Sequence, residues 1–392
     1  MAPTQTPGEP PWLADYAAMA AASRGRRYDE APPSYRSEFQ RDRDRIIHAS
    51  AFRRLEYKTQ VFVNHEGDLF RTRLTHSLEV SQVARTIARQ MGLNEELTEA
   101  IALAHDLGHT PFGHAGQDAL NRCLAEYGGF EHNLQSLRVV DHLEARYAEF
   151  DGLNLTFETR EGVLKRCSRR HAQQLGELGT RFLEGGHPSL EAQLTNIADE
   201  IAYNSHDVDD GLRAGFIDID ELQEVELIRE LFERVAASHP GLSQRRTIYQ
   251  VVRHLIGEQV GDLIEASQAR IAAHQPRHID HVRTADAALM GFSETMASRH
   301  RELKQFLLRH LYRHYRVHRM NRKSQRIIND LFGALFEDLQ LLPPPQQHYA
   351  ESRAEAGGDR GRARAVADYI AGMTDRYAIA EHERLFDPQT LT

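Results

Sequence analysis

Three histidines and one aspartate lie within the stretch from His105 to His114. His105 and Asp106 are adjacent, and His109 and His114 follow them closely. Neutral imidazole and carboxylate together form the mixed nitrogen and oxygen donor set that first-row divalent metals and Mg²⁺ accept. The adjacent His-Asp pair therefore indicates a metal site.

The elements around this stretch must position these side chains. Leu97, Ile101 and His105 recur every four residues and so share one helical face, and Gly108 and Pro111 then end the helix. A lone histidine on such a face is more often an ordinary core residue than a ligand. A metal centre therefore needs further donors from other elements.

Two other helical patterns supply those donors. His76 shares an apolar face with Val80 and Val83, and Asp199 begins a row on a later helix. A buried carboxylate is costly unless it is paired or binds a metal. Inward donors from three helices therefore favour one metal centre. These donors are His76, His105, Asp106 and Asp199.

The donor set suits several cations, namely Mn²⁺, Fe²⁺, Co²⁺, Ni²⁺ and Zn²⁺, and also Mg²⁺ where water completes its shell. A catalytic ion with open positions polarises a phosphoryl oxygen and lowers the pKa of a bound water. The charge on the phosphoryl oxygens then requires cationic or hydrogen-donating groups. The candidates close in sequence are Arg73, His109, His114 and His132.

Six ordered stretches resemble the bacterial deoxyguanosine triphosphate triphosphohydrolase-like proteins, within the HD superfamily of metal-dependent phosphohydrolases. The resemblance covers about residues 40–386. The stretches are RRLEYKTQVF (53–62), RTRLTHSLEV (71–80), AHDLGHTPFGHAG (104–116), FEHNLQS (130–136), ADEIAYNSHDVDDGL (198–212) and DYIAGMTDRYA (368–378).

The resemblance implies that water attacks the α-phosphorus of a deoxynucleoside triphosphate and releases the nucleoside and intact triphosphate. It favours dGTP, alone or among several dNTPs, as the substrate. It assigns Arg73 to the substrate, and His109, His114 and His132 to proton transfer or phosphate contact.

Five further residues match family positions near the substrate. The resemblance places Gln60 near the base and Tyr203 and Asp207 near the sugar and phosphates, where a carboxylate can accept from the 3′-hydroxyl. It places Arg376 and Tyr377 in the same region. A packed tyrosine and a surface aspartate are the alternative for Tyr203 and Asp207.

Gln117 departs from the family pattern. Many relatives have HAGE at this point, whereas this chain has HAGQ. An acid there can polarise His114 or orient the attacking water, but glutamine lacks the charge that raises the basicity of an imidazole. We therefore expect slower turnover than in relatives with the acid, or a different preferred substrate.

Composition and charge limit the classes of protein to which the chain can belong. The 392 residues carry a net charge of −9, which argues against general nucleic-acid binding. No apolar run has membrane-spanning length, and the first residues do not read as a secretory signal. Cys123 and Cys167 are the only cysteines, which suggests reduced thiols. We expect a cytoplasmic protein without membrane contact.

A basic stretch lies between Glu302 and Asp330, where no acid occurs. At helical spacing these residues form one stripe, which also includes three histidines. The stripe predicts binding of an anionic partner such as polyphosphate or single-stranded nucleic acid. The alternative is a solvated helix face. The basic residues are Arg309, Arg313, Arg316, Arg319, Arg322, Lys323 and Arg326.

We predict an all-α fold, an HD-domain helical bundle that forms a single large domain with additional C-terminal helices. The expected regions are a Pro-rich segment 1–40, an HD core 41–220 and a C-terminal helical region 221–392. Within the last we expect a long helix over 296–340 and a mobile loop near 343–363. The segment 56–73, which contains Gln60-Val61-Phe62-Val63, suggests a short strand or extended loop.

Two alternative functions and the oligomeric state stay open at this point. The enzyme can be an HD phosphohydrolase of another nucleotide, since the ligand set alone does not choose among phosphate esters. The chain can instead be a regulatory protein that binds nucleotide or single-stranded nucleic acid and has a weak active site. The family often forms multimers, so we expect a homo-oligomer, with a hexamer as the candidate.

Overall fold

The computed structural model describes residues 10–60 and 70–390. These residues form eighteen α-helices and no β-strand, with one isolated bridge between Thr59 and Thr72. The all-α prediction is confirmed. Of the strand or extended loop expected over 56–73, residues 61–69 lie outside the described residues, and the described part holds only the bridge between Thr59 and Thr72. No helix among the described residues is long and apolar enough to cross a membrane.

The helices follow one another along the whole described chain. They are α1 (Glu38–Ile47), α2 (Ser50–Arg54), α3 (Arg73–Gln90), α4 (Glu95–Ala104), α5 (Gly113–Cys123), α6 (His132–Arg138), α7 (Phe157–Val163), α8 (Arg169–Ala172), α9 (Glu177–Glu184), α10 (Leu190–Arg213), α11 (Ile219–Leu222), α12 (Glu226–Ser238), α13 (Gln244–His274), α14 (Ile279–Arg283), α15 (Glu294–Leu307), α16 (Tyr315–Glu337), α17 (Pro344–Ala371) and α18 (Asp375–Phe386).

The chain forms two compact units that interleave along the sequence. The first contains residues 10–47, 76–104 and 154–314, and the second contains 48–60, 70–75, 105–153 and 315–390. Residues 40 and 220, at which the sequence analysis divides the chain, both lie within segments of the first unit.

The first unit has its core between α3, α10 and α13. Val80 and Ile87 of α3 pack with Leu194 and Ile201 of α10 and Leu263 of α13, and all five side chains are fully buried. The apolar face of α3 is therefore turned inward, as its spacing predicts. His76, at the start of that face, is also buried.

The second unit has its core between α5, α16 and α17. Leu120 of α5 packs with Ile328 and Leu331 of α16 and with Val366 and Ile370 of α17. Burial of such side chains contributes roughly 1.5–3 kcal/mol each. This core fixes α5, the helix that carries His114 and Gln117.

The mobile loop expected near 343–363 is wrong. The residues from Pro344 belong to α17, with a kink at Gly358, whose φ is 57°. Proline at the first helical positions starts a helix rather than ending one, because its missing N–H has no partner there anyway. After the kink, Gly361 lies so close to the carbonyl oxygen of Arg353 that a Cβ would approach it to 1.9 Å.

The long helix expected over 296–340 is also wrong. Helix α15 ends at Leu307, a π-helical turn spans Leu308–Tyr312, and α16 begins at Tyr315. Tertiary contacts override the helical pattern here, since Tyr312 donates to Asp207 and His314 stacks on Phe216 at 4.4 Å. Arg309 and Arg313 therefore lie outside α16, and the stripe on that helix begins at Arg316.

Candidate active site

The first turn of α3 carries two site residues, Arg73 and His76. Thr72 and Thr75 cap this helix reciprocally. The Thr75 amide donates to the Thr72 hydroxyl at 3.3 Å, and the Thr72 amide donates to the Thr75 hydroxyl at 3.0 Å. The cap fixes where the helix begins, and residues three apart share one helical face.

In the first unit, His76 meets Asp199. The Nε2 atom of His76 lies 3.0 Å from Oδ1 of Asp199, and both groups can hold a metal ion. Helix α10 presents Asp199, and its N-cap Ser189 accepts from the amide of Ala192. The Lys165 ammonium binds the second carboxylate oxygen of Asp199. His76 and Asp199, both named as candidate metal ligands by the sequence, therefore lie next to each other.

His76 is supported from behind by a second histidine. Its Nδ1 atom lies 3.5 Å from Nδ1 of His206, and Nε2 of His206 lies 2.7 Å from a carboxylate oxygen of Glu79. His206 therefore links Nδ1 of His76 to the Glu79 carboxylate. A metal ion bound through Nε2 of His76 requires the hydrogen on Nδ1, where His206 can accept it.

Tyr203 and Asp207 lie on the same row of α10. The Tyr203 ring is 6.3 Å from the His76 ring and 6.1 Å from the ring of Tyr312. The Tyr312 hydroxyl donates to the buried Asp207 carboxylate, and burial, together with Tyr203 and Asp207, raises the pKa of Tyr312 well above its usual value. Both predicted substrate residues therefore lie on the helix that carries Asp199.

In the second unit, Asp106 is the centre of a buried polar cluster. Nε2 of His105 lies 3.2 Å from one carboxylate oxygen, and the Arg73 guanidinium donates to the other at 2.6 Å. Nε2 of His109 lies 3.5 Å from the first oxygen. Arginine holds the carboxylate ionised, which is the form that binds metals.

Three predicted catalytic histidines come together in this unit. The His109 and His132 rings stack at 4.1 Å, and the His114 ring lies 5.6 Å from His109 and 6.4 Å from His132. Burial and the nearby Arg73 cation lower the pKa of His109 well below its usual value. His109 is therefore a neutral imidazole at neutral pH, whereas His114 is exposed.

The turn between the His-Asp pair and α5 has a backbone that needs support. Phe112 has φ 60°, a left-handed conformation that costs a non-glycine residue free energy. Asp375 accepts from the Phe112 amide at 2.9 Å and from the Thr59 amide at 3.0 Å. Lys58 donates from its buried ammonium to the carbonyl oxygens of His109 and Ala371.

Gln117 contacts His132, whereas the sequence suggested an effect on His114. Its Oε1 atom lies 2.6 Å from Nδ1 of His132 and accepts from the His132 amide at 3.1 Å. Position 117 therefore bears on His132 in this chain.

Of the remaining predicted substrate residues, Gln60 precedes α3, and Arg376 and Tyr377 lie in the first turn of α18. Gln60 is buried, at the edge of the described residues. The Arg376 guanidinium is exposed and lies 5.6 Å from the centre of the Tyr57 ring. The Tyr377 hydroxyl lies 3.1 Å from that of Tyr369.

Sequence reasoning missed several residues that hold the site. Lys165 lies in a basic stretch, which gave no sign of its pairing with Asp199. Asp375 lies within the quoted stretch DYIAGMTDRYA, from which the resemblance named only the next two residues, Arg376 and Tyr377. His206 was likewise overlooked, although it belongs to the quoted stretch around Asp199.

Two family models match the chain. One describes the HD domain and covers residues 73–204, and the other describes a phosphohydrolase-associated domain and covers residues 290–384. The first match begins at Arg73 and contains all four predicted metal ligands. Together with the all-α fold, these matches define an HD-domain phosphohydrolase.

Similar curated proteins identify the family to which the chain belongs. Deoxyguanosinetriphosphate triphosphohydrolase-like proteins of Thiobacillus denitrificans and Bordetella pertussis are 60% and 61% identical to this chain. The alignments cover 96% of this chain in both cases, and 98% and 96% of the two relatives. The Nitrosomonas europaea relative is 58% identical over 95% of this chain and 98% of its own length. The chain belongs to the deoxyguanosinetriphosphate triphosphohydrolase-like protein family.

Proposed function

We propose that this protein is a metal-dependent triphosphohydrolase that converts deoxynucleoside triphosphates, with dGTP preferred, to deoxynucleoside and inorganic triphosphate. The observation that carries the proposal is the pair of imidazole–carboxylate contacts, His76 with Asp199 and His105 with Asp106. The family name of the relatives supports the choice of substrate and product.

The donor chemistry fits a divalent metal ion. Two ligands at right angles, each about 2.1 Å from an ion, are about 3 Å apart. The two imidazole–carboxylate pairs show separations of 3.0 and 3.2 Å. We assign His76, His105, Asp106 and Asp199 as its ligands. The bound ion supplies Lewis acidity and lowers the pKa of a water molecule.

His76 and His105 are each the first residue after the chain passes from one unit to the other. Within the first unit, α4 packs against α10, the helix of Asp199, and His105 is the first residue after α4. Arg73 binds Asp106 within the second unit and lies one helical turn before His76.

The chain's own groups complete the chemistry. Arg73 neutralises charge close to the phosphoryl group, and neutral His109 donates or accepts a hydrogen bond without repelling a cation. His114 and His132 carry the proton transfers. Asp207 accepts from the sugar 3′-hydroxyl beside Tyr203. Three further residues contact the base and the rest of the substrate, namely Gln60, Arg376 and Tyr377.

An end-point assay tests the proposal. Purified protein is incubated with each of the four dNTPs and with their mixture, with Mg²⁺ or Mn²⁺, and products are resolved by anion-exchange chromatography. We expect nucleoside and triphosphate, fastest from dGTP, and no product from His105→Ala. His239→Ala, at an exposed histidine of α12's C-terminal end, is the matched control and retains activity.

The phosphate product distinguishes the proposed reaction from that of an HD phosphohydrolase of another nucleotide. Inorganic triphosphate requires cleavage at the α-phosphorus, whereas orthophosphate or pyrophosphate requires cleavage of another bond. Orthophosphate or pyrophosphate as the main product would replace the proposal with an HD phosphohydrolase of another nucleotide.

A second candidate function is binding of single-stranded nucleic acid as a regulatory partner. It is favoured by the exposed face of α16, opposite the buried side chains of Val317 and Ile328. Such binding should weaken steeply with salt, because phosphate contacts release counterions. Salt-insensitive or absent binding in a filter assay would remove it. The exposed basic residues are Arg316, Arg319, Arg322, Lys323 and Arg326.

We also propose that the protein forms a homo-oligomer, for which the family resemblance is the support. Light scattering of the purified protein measures the assembly directly. A mass near six chains would identify a hexamer, and a monomer mass would withdraw this part of the proposal.

A further inference from the structure

His132 faces two acceptors through one ring nitrogen. Its Nδ1 atom lies 2.6 Å from Oε1 of Gln117 and 3.3 Å from Oε1 of Glu131. The Gln117 oxygen is an obligate acceptor here, because it also accepts from the His132 amide. The Nδ1 atom of His132 therefore carries a hydrogen, and Nε2 is the atom that gains or loses the proton.

The two acceptors differ in charge. The amide oxygen of Gln117 accepts from neutral imidazole and from imidazolium, but it carries no charge to stabilise the latter. The Glu131 carboxylate carries that charge. Glu131 directly precedes His132, the first residue of α6, whereas the family resemblance places an acid at position 117.

Glu131 is held in place by contacts other than His132. It is the N-cap of α6, where one carboxylate oxygen accepts from the Leu134 amide at 3.1 Å. The other oxygen accepts from the side-chain amide of Asn133 at 2.5 Å. These contacts keep the carboxylate beside the ring in both protonation states of His132.

Two further histidines lie close to His132. His109 stacks on the ring and His114 lies 6.4 Å away, and the positive form of either disfavours a second imidazolium. Arg73 adds positive charge next to His109. The Asp106 carboxylate lies 3.5 Å from Nε2 of His109 and is paired with Arg73. The Glu131 carboxylate lies directly beside the His132 ring and favours a proton on it.

We propose that Glu131 supplies the negative charge that position 117 lacks in this chain and stabilises the protonated form of His132. Glu131 is then a positioning residue, acting through His132 in proton transfer. The inference rests on the proposed function for its catalytic meaning, while the coupling between the two side chains is a property of the folded protein alone.

The variants separate charge from helix capping. Glu131→Gln and Glu131→Asn both remove the charge, and asparagine is a preferred N-cap residue. Glu131→Asp keeps the charge and the cap. Glu126→Gln, at an exposed glutamate of the same unit, is the control for a lost surface charge.

The first measurement follows His132 by NMR in protein labelled with ¹³C at histidine Cε1, with His132→Gln to assign its signal. We expect Glu131→Gln and Glu131→Asn each to lower the pKa of His132 by about 0.5 to 1 pH unit, since both groups are partly exposed to solvent. Glu131→Asp and Glu126→Gln should leave it unchanged. An unaltered His132 titration in both charge-removing variants would overturn the proposal.

The second measurement is the pH dependence of turnover. In the charge-removing variants the limb governed by His132 moves to lower pH, and kcat falls by roughly three- to tenfold with little change in KM. Glu131→Gln should cost less when Gln117→Glu is also present, because the second carboxylate replaces the first. Equal costs in both backgrounds would contradict the compensation.

The two proposals fail in different ways. Failure of the proposed function appears as absence of triphosphate among the products of the unaltered protein, and the NMR titration still decides whether Glu131 is coupled to His132. A purely structural role for Glu131 would appear as a lower melting temperature in Glu131→Gln with an unshifted His132 titration.

Discussion

The Nδ1 atoms of His76 and His206 lie 3.5 Å apart, on the side of the His76 ring away from Asp199. Because His206 also contacts Glu79 at 2.7 Å, the three side chains form a hydrogen-bonded row that ends at a carboxylate. When Nε2 of His76 binds a metal ion, the hydrogen lies on Nδ1, and the row supplies its acceptor. A metal ligand oriented in this way is more basic and more rigid.

We predict that Glu79→Gln and His206→Ala weaken metal binding. Loss of a group that orients a ligand typically costs about 10- to 100-fold in metal affinity. Titration calorimetry with Mn²⁺ measures this directly, without substrate. Glu126→Gln should bind Mn²⁺ as the unaltered protein does, and equal affinities in all four proteins would show that the row does not support the ligand.

We predict that Gln117→Glu raises turnover. Its oxygen already lies 2.6 Å from Nδ1 of His132, so a carboxylate there would stabilise the imidazolium that forms during proton transfer. The expected gain is roughly three- to tenfold in kcat. Gln117→Asn, which shortens the side chain without adding charge, is the control and should not gain. An unchanged or lower rate in Gln117→Glu would refute the prediction.

Helical periodicity predicted the parts of the site that lie on helix faces. His76 shares its face with Val80, and spacing alone shows that both turn inward. The row from Asp199 to Asp207 on α10 was predicted in the same way. Both inferences use residues a few positions apart, for which helix geometry fixes the relative direction of the side chains.

Contacts between distant residues did not follow from the sequence. Gln117 and His132 are fifteen residues apart and meet only because a turn and a second helix bring them together. Lys165 pairs with Asp199 across thirty-four residues. Helical propensity along residues 296–340 predicted one long helix. The chain instead breaks before α16, where Tyr312 contacts Asp207, a residue far away in the sequence.

We predict that Lys58→Met destabilises the second unit and lowers activity. The buried Lys58 ammonium donates to the carbonyl oxygens of His109 and Ala371, and methionine would leave both buried acceptors without this donor. The expected loss in the free energy of unfolding is about 2 to 4 kcal/mol, measured by urea denaturation. Lys323→Met, at an exposed lysine of α16, should leave stability within about 0.5 kcal/mol. A similar stability for both variants would contradict the prediction.

Glu96 should make the free energy of unfolding fall as pH rises. Burial, with the charges of Glu99 and Asp44, raises its pKa to about 7 despite the nearby Arg43 cation. Because the folded protein holds this proton more tightly than the unfolded chain, the stabilisation is complete below the ordinary pKa of 4.5 and is lost through about 7. Glu96→Gln removes this dependence, so at pH 8 it should be more stable than the unaltered protein by roughly 1 to 2 kcal/mol, allowing for solvent screening. Urea denaturation at pH 5 and pH 8 measures the effect, with Glu126→Gln as the control. A stability difference that does not shrink at pH 5 would show that the raised pKa of Glu96 is not its source.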